Sequence, residues 1–369
     1  MEYPENDQND DMLEAQEELL DLNEIMNAFG VQSWKNLGDA ESVFTGGLNL
    51  LVDIQGERYV LRERPEGMVE EDLSHRYDFR RYLQQSGIPI PALLTTPQDE
   101  PFVTIGEDIF ELQQWAGGEF FATANPRSLE WVSAAGTMLG RIHQASARYT
   151  GHEHRWPSEV HMGSQVQGWL NLARAKAEQD NVYAINAALS SWVEAWERVL
   201  PSAMMSIGSH HGLPEFHVHG DYHALNLRFN SFGVTAVMGL EASHWEKRIF
   251  EVAYALYYFS ALAWDGANGR TRPLVKRGFD PERARLFLQA YGELCPPSRD
   301  EAEVLADALM LISPIATING PLEELFYADD TQFMVEPTFA DDMLERLNWA
   351  VTLPAWLGRV RRSLADMWK

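Results

Sequence analysis

Residues 217 to 226 read His-Val-His-Gly-Asp-Tyr-His-Ala-Leu-Asn, and an Asp followed five positions later by an Asn is the pair that a phosphoryl-transfer loop requires. In such a loop the Asp accepts the proton of an attacking hydroxyl, and the Asn offers a neutral oxygen to the metal ion that bridges the nucleotide phosphates. Here the two are Asp221 and Asn226. A second metal-binding carboxylate is expected thirteen residues further on, yet the segment reads Val237-Met238-Gly239-Leu240-Glu241, with Gly in the expected place. Mg2+ is a hard ion usually held by one or two carboxylates beside phosphate oxygens and waters, so Gly239 leaves the set short. In an extended segment Glu241 faces the same side as position 239, about 6 to 7 Å along the chain, which makes it the candidate substitute ligand. Turn residues that cap local backbone amides are the plainer alternative for both Asp221 and Asn226. A zinc site built from His217, His219, His223 and Asp221 is a rival, since histidines at alternating strand positions share a face. It gives Asn226 no purpose.

The elements that must position this loop are legible in the surrounding pattern. Phe216 to Val218, Asn226 to Phe229 and Val234 to Met238 read as short strands, the last two joined by the turn Asn230-Ser231-Phe232-Gly233. Around them, from Ser128 onward, apolar residues recur at helical spacing near 128–146, 165–178, 183–200, 247–264, 281–293, 298–313 and 339–352. Ser298 and Glu301 form a capping box for one of these helices. The chain before Trp115 differs. Runs 48–54 and 57–62 are β-rich and separated by Gln55-Gly56, a hairpin opened by Gly46-Gly47; a helix over 77–84 follows. Two more strands, near 101–105 and 108–113, turn at Gly106. Ahead of all this, Ala15, Leu19, Leu22, Met26 and Phe29 mark an amphipathic helix that ends at Gly30. The pattern predicts an α+β fold in three parts: an acidic tail and helix over 1–30, a small β-rich lobe over 31–115, and a large, mostly helical lobe over 116–369. Trp115-Ala116-Gly117-Gly118 is the expected hinge.

Composition bounds the function. At 369 residues, 45% of them apolar, the chain can fill two cores of ordinary domain size. No run reaches the roughly 18 uninterrupted apolar residues of a membrane span, and the amino terminus lacks the basic and apolar regions of a signal peptide, so a cytoplasmic location is expected. The single cysteine, Cys295, excludes an internal disulfide and fits a buried thiol in a reducing compartment. Lys and Arg number 29 against 55 Asp and Glu, a net charge of −26, which argues against nucleic acid and for a cationic partner or substrate. Ten of the carboxylates lie between Glu2 and Glu24, where no Lys or Arg occurs, so the acidic first helix is either a solvated face or a docking arm for a protein partner.

This order of parts resembles the family of aminoglycoside phosphotransferases, choline kinases and homoserine kinase-like enzymes, whose fold is bilobal and protein-kinase-like. The strongest likeness is His219-Gly220-Asp221-x-His223-x-x-Asn226, although Ala224 and Leu225 replace the Pro and Gly common in the family. Val60-Leu61-Arg62, Leu139-Gly140-Arg141-Ile142-His143 and Phe250-Glu251-Val252-Ala253 are similar to further family pieces, the last with Glu for Asp. The resemblance implies a kinase that moves the γ-phosphate of ATP, with Mg2+, to a small hydroxylated and cationic metabolite. It makes Asp221 the base and Asn226 the metal ligand. Arg62 would reach the phosphates, where a guanidinium makes paired charge-assisted bonds. Gly46 and Gly47 would cover them, and Glu111 to Trp115, including Gln113, would offer backbone groups to adenine. The acidic partner expected for Arg62 aligns with Arg76, leaving Glu71 or Asp78 as substitutes. With Gly239, these departures open the alternative of a degenerate kinase that serves as a binding module.

Overall fold

In the computed structural model, residues 22–40, 48–64, 70–151, 163–178, 183–266, 271–318 and 337–369 are described. Gly46, Gly47 and most of the acidic tail lie outside them. The chain divides into two compact units, one formed by Met1–Met68 with Ala92–Trp115 and the other by Val69–Pro91 with Ala116–Lys369. One break between the units falls after Trp115. The helix after the first hairpin belongs to the larger unit.

Among its described residues the smaller unit is an antiparallel sheet with one helix. Strands β1 (Lys35–Asp39), β2 (Asn49–Ile54), β3 (Glu57–Glu63), β4 (Leu93–Leu94), β5 (Val103–Ile105) and β6 (Asp108–Gln114) lie in the order β1-β2-β3-β6-β4, with β5 also paired to β6. Gln55 and Gly56 both take positive φ, 56° and 91°, which is the two-residue turn whose twist suits a hairpin, and Asp53 faces Arg58 across it. Alternation along β2, β3 and β6 turns Leu50, Val52, Leu61, Phe110 and Leu112 into one core, where they meet Ile25, Met26 and Phe29 from α1 (Leu22–Ala28) and the residue that follows it. The apolar stripe of the first helix is therefore spent on its own sheet. Most of the acidic segment expected to be a solvated face or a docking arm lies outside the described residues.

The larger unit is helical apart from short strand pairs. Its helices are α2 (Glu70–Gln85), α3 (Ser128–Ser146), α4 (Gly163–Ala177), α5 (Tyr183–Glu197), α6 (Leu200–Ser209), α7 (Arg248–Ser260), α8 (Pro281–Gly292), α9 (Arg299–Ile318), α10 (Pro337–Ala350) and α11 (Leu353–Trp368). Every residue of α7 from Ile249 to Ser260 is buried, so most of its faces are apolar. Helices α3 and α8 cross closely at two glycines; a Cβ on Gly136 would lie 2.4 Å from the Phe287 carbonyl oxygen. The capping box forms as expected, with Glu301 N donating to Ser298 Oγ at 3.1 Å and Ser298 N to Glu301 Oε2 at 2.8 Å.

Two expectations are corrected. The helix over 247–264 stops at Ser260, because Leu262–Trp264 (β11) pairs with Thr271–Pro273 (β12), and that pairing is a tertiary event invisible to helical periodicity. The apolar run over 183–200 is one helix that breaks before α6, whose Pro201 sits in its first turn, where a missing N–H costs nothing. No described helix is long and apolar enough to cross a membrane.

Candidate catalytic loop

Strand β7 (Glu215–Val218) pairs with β10 (His244–Lys247), and β8 (Leu227–Asn230) pairs with β9 (Gly233–Val237). The segment from His219 to Asn226 therefore hangs between two strand pairs, as the sequence implies. Its shape depends on close approach. Gly220 takes φ 89°, and a Cβ there would fall 1.9 Å from the Ala242 carbonyl oxygen, so no other residue fits. His223 caps the 3-10 turn Ala224–Asn226 by accepting from Leu225 N.

Glu251, wholly buried on α7, holds the loop from beneath. Its carboxylate accepts from the backbone amides of Gly220 at 2.6 Å and His219 at 3.1 Å, and meets His143 Nε2 at 2.7 Å; His143 Nδ1 in turn meets the Tyr291 hydroxyl at 2.8 Å. Burial pushes the Glu251 carboxyl up, but the bond and charge of His143, with His219 and the Gly220 amide, outweigh it and bring the value to about 2. The Tyr222 hydroxyl ties the loop to α3 through the Ala135 carbonyl at 2.8 Å. Arg228 donates to the carbonyls of Leu225 and Leu227 at 3.0 and 3.1 Å, with its guanidinium 3.4 Å from the centre of the Phe120 ring.

Asp221 is the convergence point. Its Oδ1 accepts from the Tyr254 hydroxyl at 2.6 Å, and its Oδ2 from Asn226 Nδ2 at 2.8 Å and His223 Nε2 at 3.2 Å. Burial raises the carboxyl, but the His223 charge and bond, the Tyr254 hydroxyl and His219 together hold it well below the ordinary carboxylate range. It is an anion at neutral pH, and its side chain keeps 24% exposure. A wall of rings stands beside it. His223 stacks on Trp264 with centroids 5.9 Å apart, and Tyr258 lies 4.6 Å from Tyr254 and 5.7 Å from Trp264.

The sequence marks Glu251 only as a member of a family piece and does not mark Tyr254; the bonds of Glu251 to the Gly220 and His219 amides and of Tyr254 to Asp221 are not read from it. The signal lies in their separation of three residues, which puts both on one face of α7, toward the loop. Arg228 has no comparable signal.

Asn226 is wholly buried, and its Nδ2 donates to both the carbonyl and the carboxylate of Asp221, each at 2.8 Å. Its Oδ1 is buried with no hydrogen-bond partner, as a metal-facing oxygen would be. The rest of the donor set does not match a divalent site. Gly239 supplies nothing, and a Cβ there would lie 2.3 Å from Asn226 Nδ2, so the amide of Asn226 already covers that position. Glu241 is not on an extended strand, which corrects the geometry expected for it; it sits in the 3-10 turn Leu240–Ala242, where its charge acts on His219. One neutral oxygen does not fit the carboxylate-bearing Mg2+ site that the family resemblance implies. The histidines do not form a zinc site either. His219 spends its ring nitrogens on the Met238 carbonyl and the Asp221 amide, and His223 spends its own on Leu225 N and Asp221. His217 is packed among Phe79, Tyr149 and Trp245. No group of three or more His, Cys, Asp or Glu among the described residues is placed to hold a metal ion.

The residues expected to meet nucleotide belong to the smaller unit. Arg62 is half-buried on β3 and faces Glu111 of β6 across the ladder. Glu111 is fully buried and forms its ion pair with Arg64, a buried cation that the sequence pattern does not single out. Gln113 is buried on β6, and Trp115 N donates to the Arg58 carbonyl at 2.8 Å. Asp78 lies exposed on α2, 3.9 Å from Arg81 of the same helix; the Glu71 side chain is outside the description.

The model of the phosphotransferase enzyme family matches residues 46–300. Among solved structures, an aminoglycoside phosphotransferase from Alicyclobacillus acidocaldarius subsp. acidocaldarius is similar over 93% of this chain and 96% of its own, at 12% identity and TM-score 0.63. A microcompartment-associated aminopropanol kinase is similar over 90% and 93%, at 14% identity and TM-score 0.60. A spectinomycin phosphotransferase in complex with ADP and spectinomycin is similar over 90% and 94%, at 13% identity and TM-score 0.56. No curated protein matches the chain. These structures share its fold, and since the family model spans well over half of its length, a small β-rich unit and a large helical one carrying the His219–Asn226 loop, the chain belongs to the phosphotransferase enzyme family.

Proposed function

We propose that the chain is a small-molecule kinase in which Asp221 receives the hydroxyl of an amino alcohol, aminoglycoside or similar cationic metabolite and ATP is the phosphoryl donor. The observation that carries this reading is the oriented, ionised carboxylate of Asp221, whose Oδ2 takes two donors while Oδ1 takes one. A carboxylate oxygen accepts two hydrogen bonds, so Oδ1 keeps a lone pair for an incoming hydroxyl. A carboxylate held this acidic is a weak base; its work is mostly to aim the hydroxyl, with the proton passing late, as suits a loose phosphoryl-transfer transition state. The ring wall of His223, Tyr254, Tyr258 and Trp264 and the acidic surface both favour a cation. Phosphate recognition is assigned to Arg62 and adenine recognition to the Gln113–Trp115 segment.

The test is acceptor-stimulated ADP release by the purified protein over a panel of amino alcohols and aminoglycosides, for wild type and Asp221→Asn. At least one acceptor is expected to stimulate release in wild type and none in the variant. Equal release by the two proteins across the whole panel defeats the reading. Gly239 favours a second reading, a nucleotide-binding module that has lost transfer, and this predicts nucleotide binding with no stimulated release.

A further inference from the structure

We propose that this chain binds nucleotide without anchoring a divalent ion, because the space that a metal-binding side chain at position 239 would need has been given to the amide of Asn226. The inference rests on the nucleotide-binding reading above. It does not rest on backbone strain. Gly239 lies in the left-handed region, φ 79° and ψ 27°, and Asp and Asn are the side-chain-bearing residues that tolerate that region best. The backbone would accept an Asp.

The obstacle is space. A Cβ at 239 would stand 2.3 Å from Asn226 Nδ2, 2.5 Å from its Cγ and 2.8 Å from its Oδ1. Nor can the amide withdraw freely, since Nδ2 makes two 2.8 Å bonds to Asp221 and the Asn226 carbonyl accepts from Met238 N at 2.8 Å, which joins this residue to the one before Gly239. Any side chain at 239 must push Asn226 off the residue it orients. Other acids do not replace the missing ligand. Asp221 already takes three donors, from Tyr254, Asn226 and His223, and in the reading above its remaining lone pair on Oδ1 goes to the acceptor hydroxyl, while Glu241 lies in the turn that follows, its charge acting on His219. An ion arriving on the nucleotide phosphates would find one neutral oxygen, Asn226 Oδ1, and a hard cation gains little from that. On this account Gly239 and Asn226 are one joint adaptation, and restoring Asp at 239 alone damages the site.

The experiment titrates a non-hydrolysable ATP analogue onto the full chain by calorimetry, once in excess Mg2+ and once in EDTA, for wild type, Gly239→Ala and Gly239→Asp, with thermal unfolding of each protein. Wild-type affinities are expected to agree within about threefold, and both variants to unfold several degrees lower with no gain in Mg2+ dependence. Binding that is about tenfold or more tighter in Mg2+ than in EDTA, in wild type or in a Gly239→Asp protein as stable as wild type, overturns the inference. Absence of wild-type binding in both buffers instead defeats the nucleotide reading beneath it. A crystal structure of Gly239→Ala separates folding from site geometry: Asn226 is expected to be displaced from Asp221, and an unmoved Asn226 contradicts the argument.

Discussion

At the scale of the residue, Asp221 is defined by its donors more than by its place in a motif. The sequence names Asp221 and Asn226 because a loop pair five residues apart is a local pattern. It does not name Tyr254, thirty-three residues away, whose hydroxyl makes the shortest bond to the carboxylate. Removing that donor with Tyr254→Phe takes away one charged hydrogen bond, worth about 1.5 to 3 kcal/mol, so kcat is expected to fall at least about tenfold with KM nearly unchanged. Steady-state kinetics on any accepted acceptor decides this, and a raised KM at constant kcat would place Tyr254 against the substrate instead. Glu251 predicts a pH effect. Its folded value, about 2, lies below the ordinary 4.5, so it contributes stability that is fully present above the unfolded value and is lost as pH falls from about 5 toward 2. Glu251→Gln is expected to cost about 2 kcal/mol at neutral pH and to flatten the acid limb of the stability curve. Denaturant unfolding between pH 7 and 3 measures both, and parallel curves for the two proteins contradict the assignment.

At the scale of the element, the helices and hairpins read from periodicity were found where apolar spacing and turn residues agree. Gln55-Gly56 closes its hairpin, Ser298 and Glu301 cap their helix, and α3 spans the expected residues. What periodicity could not reveal is pairing at a distance. Strand β11 continues an apolar run already read as helix, and only its partner β12 makes it a strand. Glu241 is another instance, since the 3-10 turn that carries it is set by the loop around Gly220 and His219 more than by its own residues. The α3–α8 crossing makes a prediction of this kind. Gly136→Ala drives a methyl to within 2.4 Å of the Phe287 carbonyl oxygen, so the helices must part, at an expected cost of about 1 to 3 kcal/mol. Because α3 also carries His143, which meets Glu251, the loss is expected to appear in the melting temperature and in Asp221-dependent turnover together. A variant as stable as wild type refutes the close crossing.

At the scale of the whole molecule, the family is legible in the sequence because its parts occur in order: hairpin, strands, helices, loop. The acceptor is not, because nothing in one motif specifies which hydroxyl the helical unit admits. Charge points the same way as the ring wall, since a chain of net charge −26 attracts cations and repels anions over its surface. Gly239 is the departure with the widest consequence, for it sets a loop that keeps the family's Asp and Asn beside a position that supplies no carboxylate. The most direct measurement is therefore of the product. Wild type and Asp221→Asn are incubated with ATP and the acceptor panel, and phosphate esters are sought by mass spectrometry. The account predicts an ester of at least one cationic alcohol with wild type and none with the variant. Esters formed equally by both proteins, or none from wild type with any acceptor, would contradict it.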